Sequence, residues 1–171
     1  MMDRLADKLN RSALLIGAGA LAMVGLLIAM VGPAASQAQV TTEYFSPDSS
    51  GFERFIDVKK EGPSNGDYFL LGHALQNPED GTRVGRMFGI CTIIKIDPQH
   101  ANTIQTCEIQ LNLADGGVMT EGTFSVALLD EGATIAVTGG TGNYSQAAGT
   151  LTLTGTEVDG ESGVLLSLDL L

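Results

Sequence analysis

Tryptophan is absent, cysteine occurs only twice, and aromatic residues make up 5% of the 171 positions. Two cysteines cannot build a multi-bridge scaffold or a four-cysteine zinc site. Basic residues are also scarce, nine against twenty acidic, for a formal net charge of −11. Such a surface repels phosphate backbones and anionic headgroups, which excludes nucleic acid as a partner and a charge-driven membrane contact. The 22 glycines follow no every-third period, so the chain is not collagen-like. What is abundant is apolar: 44% of residues, too much for a disordered chain and suited to a single packed domain.

The first 38 residues read as an address. Arg4, Lys8 and Arg11 precede an uncharged run from Ser12 to Gly32, followed by Pro33 and the small-residue exit Ala34-Ala35-Ser36-Gln37-Ala38. A basic start, an apolar stretch and a small-residue exit form an export signal, with cleavage expected before Gln39. The apolar run is also long enough to span a bilayer as a hydrophobic helix, so an uncleaved membrane anchor is the alternative. Either reading places residues 40–171 outside the cytoplasm, because basic residues stay inside. Membrane contact is expected only through this segment, and only if it is uncleaved. Residues 39–171 keep six basic and eighteen acidic residues, so the acidity belongs to the folded part. Gly17-Ala18-Gly19-Ala20-Leu21-Ala22 fits a loose dinucleotide fingerprint, but no strand precedes it.

Turn residues punctuate the rest at 62–66, 77–81, 97–98, 115–117, 130–132, 139–142 and 159–160. The intervening runs are rich in Val, Ile, Thr, Phe and Leu, which favour strands. Between Thr103 and Leu113, Cys107, Ile109, Leu111 and Leu113 alternate with Thr106, Glu108, Gln110 and Asn112. Phe69, Leu71, His73 and Leu75 likewise share one face. Eight strands are expected near 54–60, 68–76, 83–96, 103–113, 117–128, 133–138, 144–156 and 163–170, and residues 39–53 are expected to form an extended linker. The expectation is an all-β domain over 54–171. Its sheet either closes into an eight-stranded antiparallel barrel, which hides both edges, or folds as a sandwich.

Cys91 and Cys107 lie on consecutive expected strands, symmetric about a loop centred near residue 99. A hairpin there sets them opposite each other, within reach of a disulfide, and an exported domain meets an oxidising compartment. The competing reading is a free Cys91 thiol in a pocket. His73 and His100 show no ligand spacing, and no metal is expected.

Gly66-Asp-Tyr-Phe-Leu-Leu-Gly-His-Ala-Leu75 and Gly85-Arg-Met-Phe-Gly-Ile-Cys-Thr-Ile-Ile-Lys-Ile96 resemble the central region of plant allene oxide cyclases. Ile135-Ala-Val-Thr-Gly-Gly-Thr-Gly-Asn-Tyr-Ser-Gln-Ala-Ala-Gly149 resembles a Gly-Gly-x-Gly-x-aromatic signature shared by those cyclases and dirigent proteins. The resemblance spans about residues 55–171 and implies a closed eight-stranded barrel around an apolar cavity, often assembled as a trimer. It implies catalysis by holding a reactive molecule in shape: a fatty-acid epoxide in the cyclases, phenolic radicals in the dirigent proteins. No cofactor is implied. Cys91 falls where the cyclases have a cavity cysteine and His73 where they have a cavity asparagine, while residues 40–66 contain no clean match to their first-strand glutamate.

The site expected from these readings is a lumen lined by Phe69, Leu71, His73, Leu75, Cys91, Ile93, Ile109, Leu111 and Leu113. His73 is its proton donor or acceptor, and a Cys91–Cys107 bridge braces the wall. The ligand is a small apolar molecule whose cyclisation or coupling the barrel biases. The alternative is an exported binding or structural module that keeps the scaffold without catalysis.

Overall fold

The computed structural model describes residues 40–98 and 102–171. The expected export segment, and the tip of the loop between the two cysteine strands, lie outside the described residues. Among the described residues, nine strands form one antiparallel sheet: β1 (Val40–Pro47), β2 (Phe52–Ile56), β3 (Tyr68–Gln76), β4 (Arg83–Lys95), β5 (Ile104–Leu113), β6 (Gly116–Ser125), β7 (Ala133–Gly140), β8 (Gly149–Val158) and β9 (Glu161–Leu170). From β3 to β9 each strand pairs with the next, as a meander does.

The sheet closes into an eight-stranded barrel, with β2 as an extra strand. The closing strand is one that sequence patterning reads as a linker. β1 pairs with β9 along its whole length, from Val40↔Leu170 to Pro47↔Gly163, and touches β3 at Phe45↔Gln76. The strand expected at 54–60 is instead β2, which pairs with β3 alone. Residues 40–47 have too few apolar positions to announce a strand, and their β character comes from the free edge of β9. Pro47 ends β1, and a helical turn at Asp48–Ser50 swings the chain to the edge of β3. Gly51 is required at that corner, since a Cβ there would lie 1.9 Å from the Gly72 carbonyl oxygen.

Two other expected boundaries move. The strand begun at Gly116 stops at Ser125, and Val126–Asp130 turns helically across one barrel end. The strand expected from 144 starts at Gly149, because Gly142–Tyr144 forms a turn. That turn lays Tyr144 against the core, next to the buried Tyr44 of β1. Gly140 permits the approach: a Cβ there would meet the Tyr144 carbonyl oxygen at 2.3 Å.

The inward residues pack unevenly along the barrel axis. Leu75, Leu111, Val118, Leu151, Leu166 and Leu168 are at most 1% exposed and fill one half solidly. Each such side chain contributes about 1.5–3 kcal/mol by leaving water. The other half is not filled, and it holds the candidate site.

Candidate functional site

A chamber of about 240 Å³ opens inside the unfilled half. Its wall comes from inward positions of the central strands: Phe69 and Leu71 of β3, Met87 and Cys91 of β4, and Gln105, Cys107 and Ile109 of β5. Phe124, Leu153 and Val164 complete the ring, and Val126 and Leu129 of the helical turn cover it. The chamber is apolar, with two polar side chains on its lining, Glu53 and Gln105.

Cys91 and Cys107 are directly opposed on β4 and β5, with Cα atoms 4.0 Å apart, and form a disulfide in this wall. The symmetric spacing seen in the sequence is therefore met by the register, and no free cysteine is among the described residues. The bridge ties the two strands where the chamber interrupts their packing.

The expected lumen residues other than His73 separate into three groups. Phe69, Leu71, Cys91 and Ile109 line the chamber. Leu75 and Leu111 are fully buried in the packed half, with Leu113 partly buried against the same core. Ile93 lines a second hollow of about 350 Å³ beside the chamber, under the loop that follows β2.

His73 is 4% exposed and sits at the corner where β1 hands over to β2. Its Nδ1 lies 3.3 Å from the Pro47 carbonyl oxygen. A carbonyl can only accept, so Nδ1 is the donor in this contact. Nε2 has no hydrogen-bond partner, and the nearest carboxylate is Glu53 Oε1 at 3.8 Å. Glu53 is 63% exposed and, unlike His73, belongs to the chamber lining. The corner is pinned again by the Ala74 amide, which donates to the Ser50 hydroxyl at 3.1 Å.

Two polar residues of this site, Glu53 and Gln105, are missing from the lumen set expected from the sequence. Glu53 lies in the stretch taken as linker, and only the pairing of β2 with β3 brings it to the rim. Gln105 was legible: it shares the parity of Cys107 and Ile109, and a polar residue at an inward position marks a cavity or a buried hydrogen bond.

A larger hollow, about 460 Å³, lies on the outer face of the sheet between Phe52, Leu70, Phe88, Ile90 and Met119. It is a trough between exposed side chains, Ile90 being 46% exposed and Met119 44%. Glu108 and Glu121 face each other across β5 and β6 on this surface, and the Arg86 guanidinium lies 5.8 Å from the centre of the Phe88 ring.

A family model described as an allene oxide cyclase barrel-like domain matches residues 38–165. The chain belongs to that family. Similar solved structures include a pyocyanin demethylase, with 27% identity over 75% of this chain and 100% of that one, at a TM-score of 0.61. A pterocarpan synthase dirigent protein has 18% identity over 78% of this chain and 95% of its own, at a TM-score of 0.60. The Diels-Alderase AbmU from Streptomyces koyangensis has 14% identity over 81% and 71%, at a TM-score of 0.57. The last two share the fold with this chain. A search of curated protein sequences finds no match.

Proposed function

We propose that this protein is an exported barrel that receives a small apolar molecule in the chamber and biases its cyclisation or stereoselective coupling. The carrying observation is the division of the lumen: one half is solid leucine and valine, while the other leaves an apolar chamber with a polar group at its rim. A rigid apolar mould lowers the barrier by holding reacting atoms near each other, and no group in it has to form a covalent bond. Glu53 is the group placed to give or take a proton at the rim, and His73 Nε2 stands 3.8 Å behind it. Family membership supports this reading, as does the occurrence of the fold in a dirigent protein and a Diels-Alderase. The similarity to a pyocyanin demethylase supports a small organic ligand. The Cys91–Cys107 bridge supports an oxidising compartment and hence export.

The test is the enantiomeric excess of products formed from a phenolic radical generated by a chemical oxidant, and from a short-lived unsaturated epoxide, with and without the protein. An excess with one class, lost in Leu153→Trp, which fills the chamber, is the expected result. Racemic products from both classes would leave only the non-catalytic binding module.

The outer trough supports a second proposal, a homo-oligomer in which this face meets another copy. The charges on the face are complementary around a ring: Arg86 of one copy can meet Glu108 and Glu121 of the next.

A further inference from the structure

The chamber and the second hollow are not independent. Phe69, Gln105 and Val126 line both, so these three side chains form a partition between them. The second hollow is walled on its far side by Phe55 of β2, by Pro63 of the following loop, and by Ile93 and Ile96 of β4 and its end. Its lining is apolar except for Thr103 and Gln105, and the Thr103 hydroxyl already accepts from the Asp97 amide at 3.1 Å. Gln105 is 8% exposed, and its amide can both donate and accept at the partition. The Phe69 ring leans on Phe55, centroids 5.1 Å apart and planes tilted by 44°, so one face of the partition is itself part of the vestibule wall.

Charge restricts what can enter. No lysine, arginine or histidine lines either hollow among the described residues, and the only ionisable side chain is Glu53. An anion placed there would meet a carboxylate and no counter-charge, within a domain that is already strongly acidic.

We infer that the binding site is bipartite and takes an elongated, uncharged, two-lobed apolar molecule. One lobe occupies the lumen chamber, the other occupies the vestibule walled by Phe55, Ile93 and Ile96, and a hydrogen-bonding group at the waist meets the Gln105 amide. A carboxylate or sulfonate finds no counter-charge in either hollow, so an anionic molecule binds more weakly than its neutral parent. This rests on the lumen-binding reading above and adds the second lobe, the waist contact and the charge selection.

Three fluorescent probes separate these statements. N-phenyl-1-naphthylamine has two apolar lobes joined by an N–H, 1-naphthylamine has one lobe, and 1-anilinonaphthalene-8-sulfonate adds an anion to the two-lobed skeleton. The wild type binds the two-lobed neutral probe about tenfold more tightly than either of the others. Ile96→Trp, which narrows the vestibule, removes the advantage of the two-lobed probe and leaves 1-naphthylamine unchanged. Gln105→Leu, which keeps the volume, weakens the two-lobed probe about tenfold. Glu53→Gln restores binding of the sulfonate. If 1-naphthylamine binds but Ile96→Trp and Gln105→Leu both leave the two-lobed probe untouched, the bipartite site is overturned while the lumen reading stands. If no neutral probe binds, both fall. If the sulfonate binds the wild type as tightly as its neutral parent, the charge selection is overturned.

Discussion

Reduction of the Cys91–Cys107 bridge offers the sharpest test of how the barrel wall is held. The bridge joins residues 16 apart in sequence. In the chain-entropy picture, opening a loop of that length costs about 3 kcal/mol of stability. For a domain of this size, each kcal/mol moves Tm by roughly 3–5 °C, so reduction should lower Tm by about 10 °C. Cys107 is fully inaccessible and Cys91 is 4% exposed, so a reductant reaches the bridge slowly unless the chamber breathes. Melts should therefore follow incubation to equilibrium, with circular dichroism recorded in parallel with and without reductant. The double variant Cys91→Ala/Cys107→Ala should melt at or below the reduced wild type and ignore reductant. Two titratable thiols in protein taken from an oxidising compartment would refute the pairing. A reductant-induced fall of less than about 1 kcal/mol would refute the claim that the bridge braces the wall.

Gly122→Ala should destabilise by about 1–3 kcal/mol through overpacking. The new Cβ would lie 2.5 Å from Ile135 Cγ2, and a β-branched side chain in a strand has little room to turn; an unchanged denaturant midpoint would contradict this. Burial alone would raise the Asp67 carboxyl, but the Val58 and Ser64 amides, donating at 2.9 and 2.7 Å, hold it below its ordinary value of 3.8. A depressed folded value stabilises above 3.8, and that contribution is lost as pH falls through the depressed value. Hydrogen-exchange protection in the loop around Ser64, taken relative to the intrinsic rate at each pH, should therefore fall on acidification, and Asp67→Asn should show the lower protection already at neutral pH. Burial, together with the neighbouring Tyr144, pushes the Tyr44 phenol up from 10.0 to about 12. The raised value means its stabilisation is complete below 10.0 and is lost as pH rises through about 12. Absorbance titration should thus show one late-ionising tyrosine, absent in Tyr44→Phe. Light scattering should give an oligomeric mass for the wild type and a monomer for Ile90→Asp; a monomeric wild type would remove the outer face as an interface.

Much of the architecture is written in the chain itself. Period-two alternation in 103–113 places Cys107, Ile109 and Leu111 inside, because strand geometry sends successive side chains to opposite faces. The spacing of Cys91 and Cys107 sets a register that the hairpin between them realises. These are local matters of backbone period and turn chemistry, legible without any knowledge of neighbours. What only the folded barrel decided is who pairs at the closing edge and where the lumen stays empty. β1 is a strand because β9 offers unpaired amides and carbonyls, and nothing within 40–47 demands it. Leu111 and Ile109 are nearly the same kind of residue two positions apart on one face. Yet one is sealed in the packed half and the other borders the chamber, because the difference lies in what stands across the barrel. Glu53 reaches the rim through β2, a strand whose place beside β3 is a tertiary fact. Periodicity tells which way a side chain points, and the volume in front of it is set by residues far away in sequence.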